Sequence, residues 1–538
     1  PSGSITRYAP RLPTSSAALF GRCPLTVVDA GSVSRSTGAP RAAQVTAVDR
    51  TVGRVLRARP SHTTVLVVGV SDTGRPARLH VAIADGPRFR GGWLSSGTTG
   101  RTGYVQLSDV APTVAGALGL PQPASFAGQP WRHADRRAGA LPTDLRQLVQ
   151  ADEVSVATAH NSGRFVAVLV SVQLALYLLA ALVLWRLGVA ERTGGPGRSW
   201  SRRVLETAAT AAAMVVPAML LADLLPWWRS WRPGLTLVVV VAAWVLGLTA
   251  LVRLGPWRRV RLGRVAAVAA VVVAVIGVDG LTGAHLEVDN VVGYTMVTGE
   301  RYTGLGMIGL GAFTAATLVL AGCAATRLHR RHRPWVVALV GAIGVIIVGS
   351  PYLGSDPGAA VAVTAGVAVA AALATGGWLT LTRLGWAIVT GVLVAGGFAL
   401  LDLTRDPQHR GHLGRFLSNL FGGTARPALG RVAEANMAAT ATSLLSVLVI
   451  AAGLFWGFVL LPGTGGLRRV YGLFPALRGA LVGTAVAGVL AGLFDGAGLI
   501  VAGAAASVGV PFAILCCVEV RAYRGGNAAE PANGTGGP

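Results

Sequence analysis

Side chains that could bind phosphate recur in the connections between the long apolar runs of this chain. A guanidinium donates paired hydrogen bonds to phosphate or pyrophosphate, and a neighbouring carboxylate or imidazole can act as a base or bind a cation. Polar residues near membrane spans are costly and are often retained for function. The residues predicted to bind substrate in this way are His285, Arg301, Asp356, Arg405, His412 and Arg415. The alternative is that they are solvated loop residues with ordinary caps and ion pairs.

Membrane spans are the elements that must position these residues. Of the 538 residues, 52% are hydrophobic and only 13% are charged, which is too apolar for a soluble protein of this size. Most of the apolar runs are close to the 20 residues that a span needs, so they predict a polytopic α-helical membrane protein with about eleven transmembrane helices. The runs cover residues 165–185, 204–225, 235–252, 262–281, 304–325, 335–352, 359–379, 384–401, 437–461, 480–493 and 499–518.

The arginines indicate an orientation. All 47 basic residues are arginine, and clusters of them follow the first, third and fifth runs, at 186–203, 253–264 and 327–333. Placing these loops in the cytoplasm predicts a multi-pass plasma membrane protein with its N-terminal segment outside and its C-terminus inside. The connection 402–436 is arginine-rich although it is predicted to lie on the outer side, so its arginines are predicted to bind a ligand. Although the net charge is +24, the arginines form no continuous basic face, so a nucleic acid partner is not expected.

The N-terminal part differs from the rest of the chain in its pattern. Strand-like runs at 65–70 and 79–84 and helical spacing at 45–56 predict an extracytoplasmic α/β segment over residues 1–135. A linker is predicted over 136–163, the transmembrane domain over 164–520 and a disordered cytoplasmic tail over 521–538. The chain begins with Pro1 and lacks a signal-peptide pattern, so the segment is expected to be truncated.

Two motifs of this segment resemble the C-terminal half of the alkaline phosphatase and sulfatase superfamily. They are residues 64–74, TVLVVGVSDTG, and residues 105–114, VQLSDVAPTV, which lead to LGLP at 118–121. In that family a strand ends in Ser-Asp-His-Gly, and its Asp and His bind metal. The resemblance therefore implies that Asp72 is a metal ligand, but Thr73 replaces the histidine and is a poor ligand for zinc. The expectation is a degenerate domain that holds a divalent metal only if sequence before Pro1 supplies further ligands.

The membrane part carries resemblances of its own. A phosphatase-like domain ahead of many spans resembles the architecture of lipid-anchor ethanolamine-phosphate transferases. Residues 299–306, GERYTGLG, resemble the Arg-x-(Ser/Thr)-Gly segment of O-antigen ligases and polymerases, which transfer lipid-linked glycans on the outer leaflet. The same passage, with 226–229 and 412–416, resembles uncharacterised polytopic membrane proteins of high-GC Gram-positive bacteria.

These features together predict a protein of cell-envelope biogenesis. The expected partners are membrane lipid and a lipid-linked glycan, and the expected substrate is a phosphate-bearing glycan or lipid on the outer face. Whether the chain is an enzyme stays open; if it is, the resemblances imply an outer-leaflet transferase of glycan or phospho-groups. The alternatives are a transporter or flippase, and a non-catalytic scaffold for envelope assembly.

Overall fold

A computed structural model describes most of the chain, which divides into two compact units, residues 1–156 and 157–538. The helix that contains the division is continuous across it. The described residues are 20, 23–34, 38–72, 76–89, 91–123, 126–134, 139–193, 199–299, 301–405, 411, 414, 426–461, 466–494 and 498–527.

The first unit contains short helices and strands. Their order is α1 (Ala39–Ala58), β1 (Val65–Val68), β2 (Ala82–Asp85), β3 (Leu94–Ser96), α2 (Val110–Ala117) and β4 (Trp131–His133). The predicted helix and both predicted strands are present, with shorter strands than the apolar runs indicate. β1 pairs with β2 and β3 with β4, both antiparallel, so the described strands form two separate two-stranded sheets.

Asp109 organises the second half of this unit. Its buried carboxylate accepts hydrogen bonds from the backbone N–H groups of Gln106 and Gln129, both at 2.8 Å, and from the hydroxyl of Thr98 at 2.5 Å. Helix α2 begins at the next residue, where an acidic side chain favours the helix N-terminus. The acid and proline of this motif therefore mark a helix start, as the sequence predicts.

The remaining helices form the membrane unit, together with the second part of α3. They are α3 (Leu141–Thr193), α4 (Ser199–Ala213), α5 (Val215–Ala222), α6 (Pro233–Leu254), α7 (Gly263–Leu281), α8 (Met307–Ala325), α9 (Arg333–Gly349), α10 (Pro357–Leu373), α11 (Leu381–Leu403), α12 (Arg426–Thr442), α13 (Leu445–Leu460), α14 (Leu467–Leu473), α15 (Pro475–Phe494) and α16 (Ile500–Asn527). Most of the segment predicted as a linker is the first part of α3, and α16 continues past residue 521, where the tail is predicted to begin.

The helices bear out a multi-pass membrane protein. Within the described residues, eight helices are long and apolar enough to cross a membrane, and two bent pairs, α4 with α5 and α12 with α13, bring the number to ten if each pair is one span. The predicted run 359–379 corresponds to α10, which has 17 residues and is shorter than a typical span.

Close approach of small residues holds the membrane unit together. A Cβ on Gly311 of α8 would lie 2.5 Å from the carbonyl oxygen of Val501 in α16. Likewise, a Cβ on Gly483 of α15 would lie 2.4 Å from the carbonyl oxygen of Gly366 in α10. Small residues at such crossings let helix backbones approach closely, which gives the van der Waals packing that associates helices in lipid.

Helix α16 contains Pro511, which has no N–H to donate to the carbonyl of Ser507. The side chain of Gln173 in α3 supplies the replacement, with its Nε2 2.7 Å from that oxygen. One turn further along α3, the hydroxyl of Tyr177 donates to the carbonyl of Ala506 at 3.0 Å. The break in backbone bonding is thus repaired by a neighbouring helix, as is usual for proline inside a membrane.

Acidic side chains are concentrated at one end of the helical bundle and arginines at the other, although Arg301 and Arg405 lie with the acids and Glu206 lies with the arginines. We call one the carboxylate end, defined by Asp223, Asp279, Glu287, Asp289, Asp356 and Asp402. The other is the arginine end, defined by Arg253, Arg264, Arg330, Arg383, Arg478 and Arg521. Several side chains there bind main-chain carbonyls, for example Arg521 with Leu184 at 3.0 Å and Arg330 with Thr375 at 2.8 Å.

Candidate functional site

The connection between α7 and α8, residues 282–306, is folded around buried carboxylates. Asp279, in the last turn of α7, accepts the N–H of Leu286 at 2.8 Å. Asp289 accepts the N–H of Met296 at 2.9 Å, and the hydroxyl of Thr158 in α3 donates to the carbonyl of Asp289 at 2.6 Å. These bonds give the connection a fixed conformation and tie it to α3.

Glu287 lies at the centre of this connection and is fully buried. Its Oε2 accepts the N–H of Gly306, the residue that precedes α8, at 3.1 Å, whereas Oε1 has no hydrogen-bond partner. A Cβ on Gly309 would lie 2.2 Å from Oε1, so only glycine leaves room for the carboxylate there. The pKa of Glu287 is raised to about 8, mainly by burial and in part by the charge of Asp279, against the Gly306 N–H and the charge of Arg301, which lower it.

Arg301 forms an ion pair with Asp356 across the carboxylate end. Asp356 is buried and caps helix α10 by accepting the N–H of Ala359 at 2.9 Å through Oδ1. Its Oδ2 binds a terminal nitrogen of Arg301, and the other terminal nitrogen donates to the carbonyl of Leu305. The guanidinium is therefore oriented by a carboxylate that is itself fixed by a helix terminus.

Arg405 is held in a similar way by a second buried carboxylate. Its Nη1 lies 3.3 Å from Oδ1 of Asp402, in the last turn of α11, and 3.0 Å from the carbonyl of Pro351. The guanidinium carbon lies 4.9 Å from the ring centre of Tyr352, a cation–π distance. Asp402 also accepts the N–H groups of Gly411 at 3.1 Å and Gly414 at 2.7 Å, which fixes the start of the following segment.

Both arginines thus contact one short connection, residues 350–356 between α9 and α10. Arg301 reaches its last residue, Asp356, and Arg405 reaches Pro351 and Tyr352 near its beginning. The side chains of the two arginines are 23% and 25% exposed, whereas the partner carboxylates are almost completely buried. The arrangement presents two oriented guanidinium groups at the surface, which is the chemistry that recognises phosphate.

Another carboxylate, Asp223, follows α5 directly and connects it to the α7–α8 connection. Its Oδ1 accepts the indole N–H of Trp227 and its Oδ2 accepts the amide of Asn290, both at 2.7 Å. Burial raises the pKa of Asp223 to about 7, and these two hydrogen bonds oppose the rise. Asn290 also donates to the carbonyl of Met219 at 3.0 Å, so this pair links the α7–α8 connection to α5.

The other predicted site residues are less closely tied to this network or fall outside it. His285 is exposed in the α7–α8 connection, and His412 and Arg415 lie outside the described residues. In the first unit, exposed Asp72 lies 3.5 Å from Nε2 of His80, while Thr73 is not among the described residues. Nowhere in the described parts of the chain do three potential metal ligands come together.

Sequence reasoning named Arg301, Asp356 and Arg405 but did not pair them with their partners. It also left Glu287 and Asp402 out of the site, although both are in connections that it singled out. No local signal marked Glu287, because Gly306 and Gly309, which make room for its carboxylate, are distant from it in a chain that contains 72 glycines.

The carboxylate end of the bundle is therefore a network of buried acids that orients two partly exposed arginines. Comparison with protein-family models, with curated proteins and with solved structures finds no match to this chain.

Proposed function

We propose that this membrane protein acts in cell-envelope biogenesis, and that its carboxylate end binds the phosphate group of a lipid-linked glycan or lipid at the outer face. The observation that carries the proposal is that Arg301 and Arg405, each oriented by a buried carboxylate, contact the same connection between α9 and α10. Two guanidinium groups held in this way form a preorganised site for a phosphate or pyrophosphate group.

The charge distribution supports the proposed orientation. Arginines such as Arg258, Arg331 and Arg383 lie at the arginine end, where the helices α6, α8 and α10 finish. Under the positive-inside rule this end is cytoplasmic, which puts the carboxylate end and its two arginines on the outer face. A substrate with a lipid tail could then reach the site from the outer leaflet.

For the first unit we propose a degenerate phosphatase-like domain. The motif residue Asp109 has a structural role at the start of α2, and Asp72 is paired with His80 and the N–H of Arg78. These contacts within the unit support a degenerate rather than a hydrolytic domain.

Conservative exchange of the two arginines tests the proposed site. Lysine keeps the charge but loses the planar, paired donors, so the double variant Arg301→Lys/Arg405→Lys is expected to lose at least about tenfold in phosphate-dependent function. The measurement is complementation of a deletion strain, read as resistance to cell-wall-active antibiotics at matched membrane expression.

The matched control is Arg383→Lys/Arg478→Lys at the arginine end, where the arginines bind the main-chain carbonyls of Trp378 and Gly377. The control is expected to complement like the unmodified chain. Full complementation by Arg301→Lys/Arg405→Lys would remove the proposed site.

A further inference from the structure

Glu287 has an unsatisfied atom in a fully enclosed position. Oε2 is bound to the N–H of Gly306, but Oε1 has no partner, and no part of the residue is exposed. An ionised carboxylate needs hydrogen-bond donors on both oxygens. In a protonated carboxyl group, which is neutral, only the added O–H needs an acceptor. Leaving a charged oxygen unbonded in such a place is far more costly than leaving a neutral one.

The groups around Glu287 oppose each other electrostatically. Asp279 on α7 disfavours its negative charge, while Arg301 on the same connection and the N–H of Gly306 at the start of α8 favour it. The second oxygen of Asp279 is also buried without a hydrogen-bond partner. Two neighbouring buried acids that each carry an unbonded oxygen are best satisfied when one of them holds a proton.

Glycines make room for the acid and hold it close to a helix terminus. A Cβ on Gly306 would lie 2.9 Å from Oε2, one on Gly309 would lie 2.2 Å from Oε1, and one on Gly293 would lie 2.0 Å from the carbonyl of Glu287. The start of α8 therefore packs directly against both carboxylate oxygens, and the residue 293 backbone packs against the main chain of Glu287.

We propose that Glu287 is a proton-binding site of the membrane unit, a buried carboxyl that exchanges its proton under the opposing charges of Asp279 and Arg301. The site does not depend on the identity of the substrate. It does connect protonation to the arginine site, because any anion that neutralises Arg301 favours proton uptake at Glu287, and the reverse holds by linkage. Burial, which raises the pKa of Glu287 to about 8, agrees with exchange in the neutral range.

Infrared difference spectroscopy of the full chain in phosphatidylcholine vesicles tests the site directly. Between about pH 5 and pH 10, a range that lies above the ordinary carboxyl pKa and includes the raised one, part of the carbonyl stretch of protonated carboxyls is expected to disappear with a midpoint near 8. This part of the band is expected to be absent in Glu287→Gln, where the Asp223 carboxyl with its pKa of about 7 remains, and unchanged in the matched control Glu153→Gln, an exposed glutamate of the first unit.

Two further variants give opposite shifts, which a purely structural role would not produce. Arg301→Gln removes a charge that lowers the pKa of Glu287, so the midpoint is expected to rise, whereas Asp279→Asn is expected to lower it. A component with a midpoint near 8 that persists in Glu287→Gln, or midpoints that do not move in these variants, would overturn the proposal. A midpoint that changes when choline replaces sodium in the buffer would also overturn it. The proton site can hold even if Arg301→Lys/Arg405→Lys complements fully.

Discussion

Asp356→Ala is expected to destabilise the membrane unit by about 1–3 kcal/mol, because the partly exposed Arg301 loses its buried hydrogen-bonded partner. The substitution takes away the carboxylate that neutralises Arg301. It also removes the cap of α10, where Oδ1 accepts the N–H of Ala359, which adds about 1 kcal/mol. The measurement is the melting temperature of the detergent-purified protein.

Asparagine at the same position separates the two contributions. Asp356→Asn keeps a good N-cap but loses the charge, so it is expected to lie between the unmodified chain and Asp356→Ala. If Asp356→Ala melts within a degree or two of the unmodified chain, the ion pair is not holding the carboxylate end together, and the account of how Arg301 is oriented is wrong.

Gly483→Leu is the second substitution with a large expected effect, a loss of several kcal/mol in stability. A Cβ there would lie 2.4 Å from the carbonyl oxygen of Gly366 and 3.0 Å from the Cβ of Ala370, so the larger side chain must push α10 and α15 apart. Helix association in lipid depends on this packing, and no hydrophobic drive replaces it. The expected result is a sharp fall in the fraction of the detergent-purified protein that remains monodisperse after mild heating.

Gly453→Leu in α13 is the matched control, because a Cβ on Gly453 meets nothing within 4 Å. This variant makes the same exchange of glycine for leucine in a membrane helix, but at a position that no other helix contacts. It is expected to remain monodisperse like the unmodified chain. Equal losses in both variants would mean that the cost comes from the leucine itself rather than from the contact between α10 and α15.

The membrane helices could be predicted from the sequence because hydropathy reports burial in lipid directly. What hydropathy could not show is where a span bends. The break between α12 and α13, near Ser443, and the break at Met214 between α4 and α5 lie within continuous apolar runs. Such breaks depend on contacts with other helices, which no local pattern contains.

The site shows a similar division. Residue types and loop positions were enough to select Arg301, Asp356 and Arg405. They could not show that Asp356 pairs with Arg301, since the two are 55 positions apart and meet only when α8 and α10 pack in the bundle. Glu287 was missed for the same reason, because its carboxylate is enclosed by Gly306 and Gly309 at the start of α8, which are distant from it in sequence.

In the first unit, local signals again predicted local structure. The capping role of Asp109 involves Gln106, three residues before it in the sequence. The antiparallel pairing of β1 with β2 depends on how the chain returns between them, which alternation of strands and helices does not determine. The resemblance to the phosphatase superfamily stays a prediction.

The most direct test of the central claim is whether the carboxylate end binds a lipid-linked phosphate through Arg301 and Arg405. The measurement is the rise in melting temperature of the purified protein on adding a polyprenyl phosphate, compared with the uncharged polyprenol. At a lipid concentration about one hundred times the dissociation constant, binding is expected to stabilise the protein by about 2.7 kcal/mol. The account predicts this rise for the phosphate alone and its loss in Arg301→Lys/Arg405→Lys; an equal rise with polyprenol, or an undiminished rise in the double variant, would contradict it.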